Sequence, residues 1–207
     1  MDYLIGDTHF DDAGIMRMDR HDFNTVEEMN STIMRSLVGT TCSMTVDDTL
    51  YHLGDVWDCS LAKEEYLKPE VKERIEEFLS KITAKTTVLI LGNHDRIFDN
   101  DEENIEYWKD RGFKIVYAKP VLYNGFIILS HEPVYVNPNT PYKNIFAHVH
   151  GNLNYADVSV CGACVSVERK SMRYAAKRAS DIIDEIRECE FFYNNPPTEK
   201  EGEKEND

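Results

Sequence analysis

The chain has 207 residues, 42% of them hydrophobic and 29% charged, with a formal net charge of −15. That length supports one domain with a substantial core. No run approaches the roughly 20 apolar residues of a membrane helix, which argues against a membrane partner. The acidic balance leaves no basic stripe for long nucleic acid. It fits a small phosphorylated substrate better, or simply keeps the protein soluble.

The first apolar run, Tyr3-Leu4-Ile5, reads as a short strand ending at Gly6-Asp7. Nothing ahead of it resembles a secretory signal, so a cytoplasmic location is expected. Residues 10–24 are polar and loop-like. Thr25 can cap a helix running to about Leu37, with Glu27 and Glu28 in its first turn. Residues 49–53 form a second strand. An apolar period at Leu67, Val71, Ile75, Phe78, Leu79 and Ile82 predicts helix over 61–82, split or started by Pro69. Residues 87–91 are a buried-type strand, and 101–110 a short acidic helix. Residues 126–129 and 144–147 are two more buried strands. Late strands at 158–160 and 164–167 precede a helix over 172–190. Residues 1–193 are therefore expected as one domain and 194–207 as an acidic disordered tail. Helices alternate with strands early and strands dominate late, which points to a two-layered α/β sandwich.

Five cysteines include one C-x-x-C, Cys161 to Cys164. Structural zinc would need a second pair, which is lacking, and a redox pair would open a helix. They read as ordinary reduced thiols.

Five polar groups punctuate the apolar runs: Asp7-Thr8-His9, Gly54-Asp55, Gly92-Asn93-His94-Asp95, Ser130-His131-Glu132 and His148-Val149-His150. Residues i and i+2 of a strand share a face, so Asp7 and His9 can reach one ion together. Asp55 follows a glycine at a strand end and can bridge two ions with its two oxygens. Gly54 and Gly92 let the backbone turn sharply and approach closely. Taken singly, Asp7 could be a turn residue, Asn93 a cap, and any histidine a hydrogen-bonded structural residue. Taken together, Asp7, His9, Asp55, Asn93, His131, His148 and His150 form a nitrogen and oxygen donor set. It suits two divalent ions, with Mn²⁺ expected first and Fe²⁺, Zn²⁺, Ni²⁺ or Co²⁺ as alternatives. His52 is expected to point away. Arg17, Arg20 and Arg96 lie near the motifs, where one could grip a distal phosphate. Asp58, completing Gly-Asp-x-x-Asp, offers support at best.

The order Asp-x-His, Gly-Asp, Gly-Asn-His-Asp, His, His-x-His over residues 3–151 resembles the calcineurin-like metallophosphoesterase superfamily. Thr8-His9-Phe10 and the stretch 23–30 look like a small bacterial and phage branch. The resemblance implies a two-sheet β-sandwich flanked by helices, four layers in all, with metals at the strand ends. It implies that Asp7, His9 and His150 hold a first ion, that Asn93, His131 and His148 hold a second, and that Asp55 and a hydroxide bridge them. That hydroxide would attack phosphorus in line. His94 would protonate the leaving group or stabilise charge, and Asp95 would orient His94. The chain departs from the pattern twice: Ala147 replaces a usual glycine, and Asp11-Asp12 stands where branch relatives carry Gly-His. The expected activity is a phosphodiesterase. A phosphomonoesterase and a catalytically silent protein-binding scaffold are the alternatives, with metal storage a remoter one. A homodimer through an exposed edge is left open.

Overall fold

The computed structural model describes residues 1–195. In chain order the first half runs β1 (Asp2–Ile5), α1 (Ala13–Met18), α2 (Val26–Leu37), β2 (Thr49–His52), α3 (Lys63–Tyr66), α4 (Pro69–Ser80), β3 (Thr86–Ile90), α5 (Asp101–Arg111) and β4 (Ile115–Tyr117). The second half supplies β5 (Val121–Tyr123), β6 (Ile127–Leu129), β7 (Lys143–Phe146), β8 (Val158–Ser159), β9 (Gly162–Cys164), β10 (Lys177–Arg178) and α6 (Ala179–Asn194).

These strands make two five-stranded sheets, ordered β10-β1-β2-β3-β4 and β5-β6-β7-β9-β8. The strands β1, β2, β3 and β4 are parallel, and β10 closes the edge antiparallel to β1. In the second sheet β6, β7 and β9 are parallel. Parallel strands end at one edge together, so each sheet delivers several loops to the same place. The inner faces pack Leu4, Leu53 and Ile90 against Leu129, Ile145 and Ala163. The opposite face of the first sheet buries Tyr3, Ile5 and Leu89 with the apolar sides of α2, α4 and α5. Helix α6 packs Ile182 and Ile186 into the inter-sheet core. The fold is the two-sheet arrangement flanked by helices. No helix among the described residues is long and apolar enough to cross a membrane.

Several elements are placed by the local chemistry expected of them. Thr25 caps α2 by accepting from the Glu28 N–H at 3.1 Å. Pro69 sits in the first turn of α4, where its missing N–H costs nothing, so it starts that helix. The structure also departs from expectation. Residues 13–18 are helical rather than loop, because Asp12 caps them, accepting from Gly14 N–H at 2.6 Å and Ile15 N–H at 3.0 Å. Strands β4 and β5 lie where no strand was expected. The last helix begins at Ala179 rather than 172, because Lys177 and Arg178 pair with β1 instead. It continues to Asn194, and the remainder of the expected tail, from 196, lies outside the described residues. All five cysteines are free.

Candidate metal centre

The loops leaving β1, β2, β3, β6 and β7 converge at one edge of the sandwich. The chain after β1 lies along the chain after β2, with the N–H groups of Asp7, His9 and Phe10 donating to the carbonyls of Gly54, Asp55 and Val56. It also joins the second sheet: Gly6 N–H donates to Val165 O at 3.0 Å, and Val167 N–H to Gly6 O at 3.2 Å. A side chain on Gly6 would strike the Ala147 methyl at 2.5 Å. The alanine standing in for the usual glycine therefore fills space that Gly6 leaves.

Donor atoms of Asp7, His9, Asp55 and His150 lie within 4.8 Å of one another, as do those of Asp55, His131 and His148. Asp55 belongs to both groups. Asn93 completes the second, its Oδ1 lying 2.9 Å from both His131 Nε2 and His148 Nδ1. All seven expected ligands are thus brought together, in two groups sharing one carboxylate. Five of them, Asp7, His9, Asp55, His148 and His150, have positive φ between 45° and 70°. His52 is not among them; it is buried, with Nε2 2.9 Å from the Thr8 hydroxyl.

The donor set suits cations on two grounds. Asp7 Oδ1 and both ring nitrogens of His9 are buried without a hydrogen-bond partner. A buried polar atom left so costs about 1–3 kcal/mol, which a coordinated ion would offset. The charge distribution points the same way. Burial alone would lower the His131 pKa, yet Asp55 and Asp7 push it up to about 9. Burial alone would raise the Asp55 carboxyl, yet the His131 hydrogen bond and the charges of His131, His9 and His94 hold it well below the usual range. The site draws positive charge.

The hydrogen bonds behind the imidazoles fix which nitrogen faces inward. His131 Nδ1 lies 2.7 Å from the Leu53 carbonyl, which can only accept, so Nε2 is left for a ligand. His150 Nδ1 lies 2.7 Å from Glu168 Oε1, again leaving Nε2. His9 Nδ1 has no hydrogen-bond partner; Asp12 Oδ2 stands 3.4 Å from it. His148 differs, presenting Nδ1 inward beside Asn93.

Asp12 and Glu168 are the residues that sequence reasoning missed. Asp12, fully buried, caps α1, stands behind His9 and accepts from the Cys59 thiol at 3.0 Å. Burial and Asp12 push that thiol up to about 12, so it stays protonated. Only the Asp-Asp departure at 11–12 hinted at such a role. Glu168 lies in a turn after β9, and no pattern in the sequence marks it. Its side chain is 3% exposed. Burial would raise its carboxyl, but the His150 hydrogen bond and the Arg20 charge hold it low.

Two expected roles are corrected. Asp95 does not orient His94. Its carboxylate is buried and accepts from the N–H groups of Asp55 at 2.7 Å, Val56 at 3.0 Å and Gly92 at 2.8 Å. It organises the two glycine turns. Burial and the neighbouring Asp55 charge push it up to about 6. Arg20 cannot grip a substrate, because it is wholly buried and donates to the carbonyls of Asp7 and Thr8 and to Glu168. Arg17 is exposed on α1. Arg96 is exposed, tied to Asp101 and the Ala118 carbonyl, and borders two cavities that also touch Asn93. Asp58 accepts from Ser60 in an exposed turn.

His94 is exposed at the rim. Its backbone N–H donates to Asp55 Oδ1 at 3.0 Å, and its ring centre lies 5.8 Å from that of His9. Its pKa is lowered by burial of part of the ring, against the pull of Asp55. The ring borders a cavity of about 400 Å³ that also touches His9, Asp55, His148 and His150. Helix α1 also lines it, through Gly14, Ile15 and Met18.

A family model described as calcineurin-like phosphoesterase matches residues 3–162. An uncharacterized protein of Methanocaldococcus jannaschii is 29% identical over 171 residues, covering 76% of this chain and 86% of that protein. Among solved structures, a protein of unknown function from Aquifex aeolicus aligns with a TM-score of 0.57 at 22% identity, over 89% of this chain and 98% of its own. A Pseudomonas putida nuclease aligns at 0.45 and 23% identity, over 72% of this chain and 61% of the nuclease.

Proposed function

We propose, from the premise that the chain belongs to the calcineurin-like phosphoesterase family, that it is a two-metal phosphodiesterase acting on a small phosphate ester. The observation that carries this reading is the pair of donor groups sharing Asp55, with His94 free at their rim. Asp7, His9, Asp55 and His150 would hold one ion, and Asp55, Asn93, His131 and His148 the other. Mn²⁺ is the first candidate for a set without thiolates. Bound divalent ions supply Lewis-acid stabilisation of phosphoryl charge and lower the pKa of a bound water. The chain's own residues do the rest. The Leu53 carbonyl behind His131 and the Glu168 carboxylate behind His150 keep those two rings aimed inward. His94 would donate a proton to the departing oxygen from its protonated form, which the lowered pKa makes scarcer as pH rises, and in its neutral form would donate a hydrogen bond to it. The cavity of about 400 Å³ that touches His94 and the donor groups is also lined by Ile15 and Met18 of α1, an apolar wall that suits an organic substituent on the phosphate. The diester assignment adds a second organic substituent, for which that volume leaves space.

The test is hydrolysis of an aryl phosphodiester and the matching monoester by metal-stripped protein titrated with Mn²⁺. Diester turnover should require Mn²⁺ and exceed monoester turnover. His94→Ala should lower kcat by about 10²–10⁴-fold while still binding metal, and Asp55→Asn should abolish turnover. Monoester turnover exceeding diester turnover would reverse the substrate assignment.

A further inference from the structure

One buried charged pair lies behind the metal ligands and is not part of them. Arg20 Nη1 donates to Thr8 O at 2.8 Å, and Nη2 donates to the Asp7 carbonyl and to Glu168 Oε2, the latter at 3.2 Å. The other carboxylate oxygen of Glu168 lies 2.7 Å from His150 Nδ1. Arg20 is fully buried and the Glu168 side chain is 3% exposed. Five residues far apart in sequence thus form one connected line: the peptide of the first motif, an arginine from beyond α1, a glutamate after β9, and the last histidine of the final motif.

We infer that Glu168 is a positioning residue, which with Arg20 braces Asp7 and His150 as one unit and aims His150 Nε2 at the first ion. This rests on the two-metal reading above. A carboxylate behind a metal-bound imidazole fixes the tautomer and strengthens the ring as a donor. The brace does more, because the arginine it pairs with also holds the backbone that carries Asp7. Breaking it frees two ligands of one ion together. The second ion's ligands depend mainly on other contacts: His131 leans on the Leu53 carbonyl, and Asn93 and His148 on each other, with one link back to the first group where His148 N–H donates to Asp7 Oδ2 at 2.8 Å. The two halves of the centre are joined through Asp55 and the His148 N–H to Asp7 bond but braced from behind by separate contacts, and loss of Glu168 strikes the first half harder.

The test is calorimetric titration of metal-free, full-length protein with Mn²⁺ alone, for the unaltered chain, Glu168→Gln and Glu168→Asp, with thermal melting of each. The unaltered chain should take up two ions. Glu168→Gln keeps the size and an acceptor for His150 but turns an amide donor toward Arg20. It should weaken one ion by about 10–100-fold and leave the other within about 3-fold. Glu168→Asp, which retains the charge, should recover part of the loss. Two ions bound by Glu168→Gln as tightly as by the unaltered chain would overturn the inference, even with a lowered melting temperature, since that marks a purely structural residue. Equal weakening of both ions would overturn it too. An unaltered chain that takes up no ion would overturn the two-metal reading itself, and with it the brace's purpose.

Discussion

At the scale of single residues, two buried groups near the ligands behave in ways their neighbours in sequence do not announce. Asp95 follows His94 directly, yet its carboxylate serves three backbone N–H groups of the turns at 55–56 and 92. Asp95→Asn would set an amide donor against at least one of those donors. Unfolding stability should fall by about 2–4 kcal/mol, and Mn²⁺ uptake should weaken with it; denaturant melts and metal titration read both. A lower kcat at unchanged stability and uptake would instead restore the role of orienting His94. His52 is the second case. Burial pushes its pKa down to about 3, so it folds in neutral. Its unfolded value near 6.5 is higher, so the unfolded chain takes up a proton first as pH falls. Its contribution is complete above about pH 6.5 and is lost between there and about pH 3, at about 1.4 kcal/mol per pH unit. Stability measured against pH should slope less steeply in His52→Asn over that window. The ligands themselves were legible because their chemistry is local: a carboxylate and an imidazole two residues apart at a strand end. Glu168 was not, because its partners His150 and Arg20 lie 18 and 148 residues away, and only the fold makes them neighbours.

At the scale of elements, the turns after β2 and β3 are the tightest part of the centre. Gly54 has φ +89°, and a Cβ there would lie 2.5 Å from both Gly92 N and His131 Nδ1; one on Gly92 would run into the Asp55 carboxylate. Gly54→Ala should cost about 1–3 kcal/mol from the overlap, plus about 1 kcal/mol from the left-handed backbone. It should also displace His131, so that Mn²⁺ titration shows the second ion weakened more than the first. The longer elements, α2, α4 and α5, could be read from apolar period, caps and Pro69. Strands β4, β5 and β10 could not, because two or three residues carry too little alternation to register. Their positions are set by pairing with β3, β6 and β1. Helix α1 was hidden for a related reason: a six-residue helix in a polar stretch exists through its Asp12 cap and its packing of Ile15.

For the whole molecule, the governing fact is negative charge concentrated where the two sheets meet. Asp7, Asp12, Asp55 and Asp95 are all at most 1% exposed and crowd one edge, in a chain of net charge −15. Mutual repulsion there is relieved by cations bound to the folded state alone. Chelation should therefore lower the melting temperature, and Mn²⁺ should restore it, with about 2.7 kcal/mol of stabilisation when free ion exceeds its Kd 100-fold. A melting temperature indifferent to chelator and to Mn²⁺ would count against any ion at this edge.

The positive φ angles at Asp7, His9, Asp55, His148 and His150 carry a consequence for how such a chain drifts over generations. A left-handed backbone at a residue other than glycine costs about 1–3 kcal/mol, less for aspartate and histidine than for most. Each of these positions would be more comfortable as glycine, and each removed aspartate would also relieve repulsion. A lineage with no further use for the ions would gain stability by losing them, one substitution at a time and in almost any order. Neutral decay therefore runs downhill toward an emptied, sturdier scaffold.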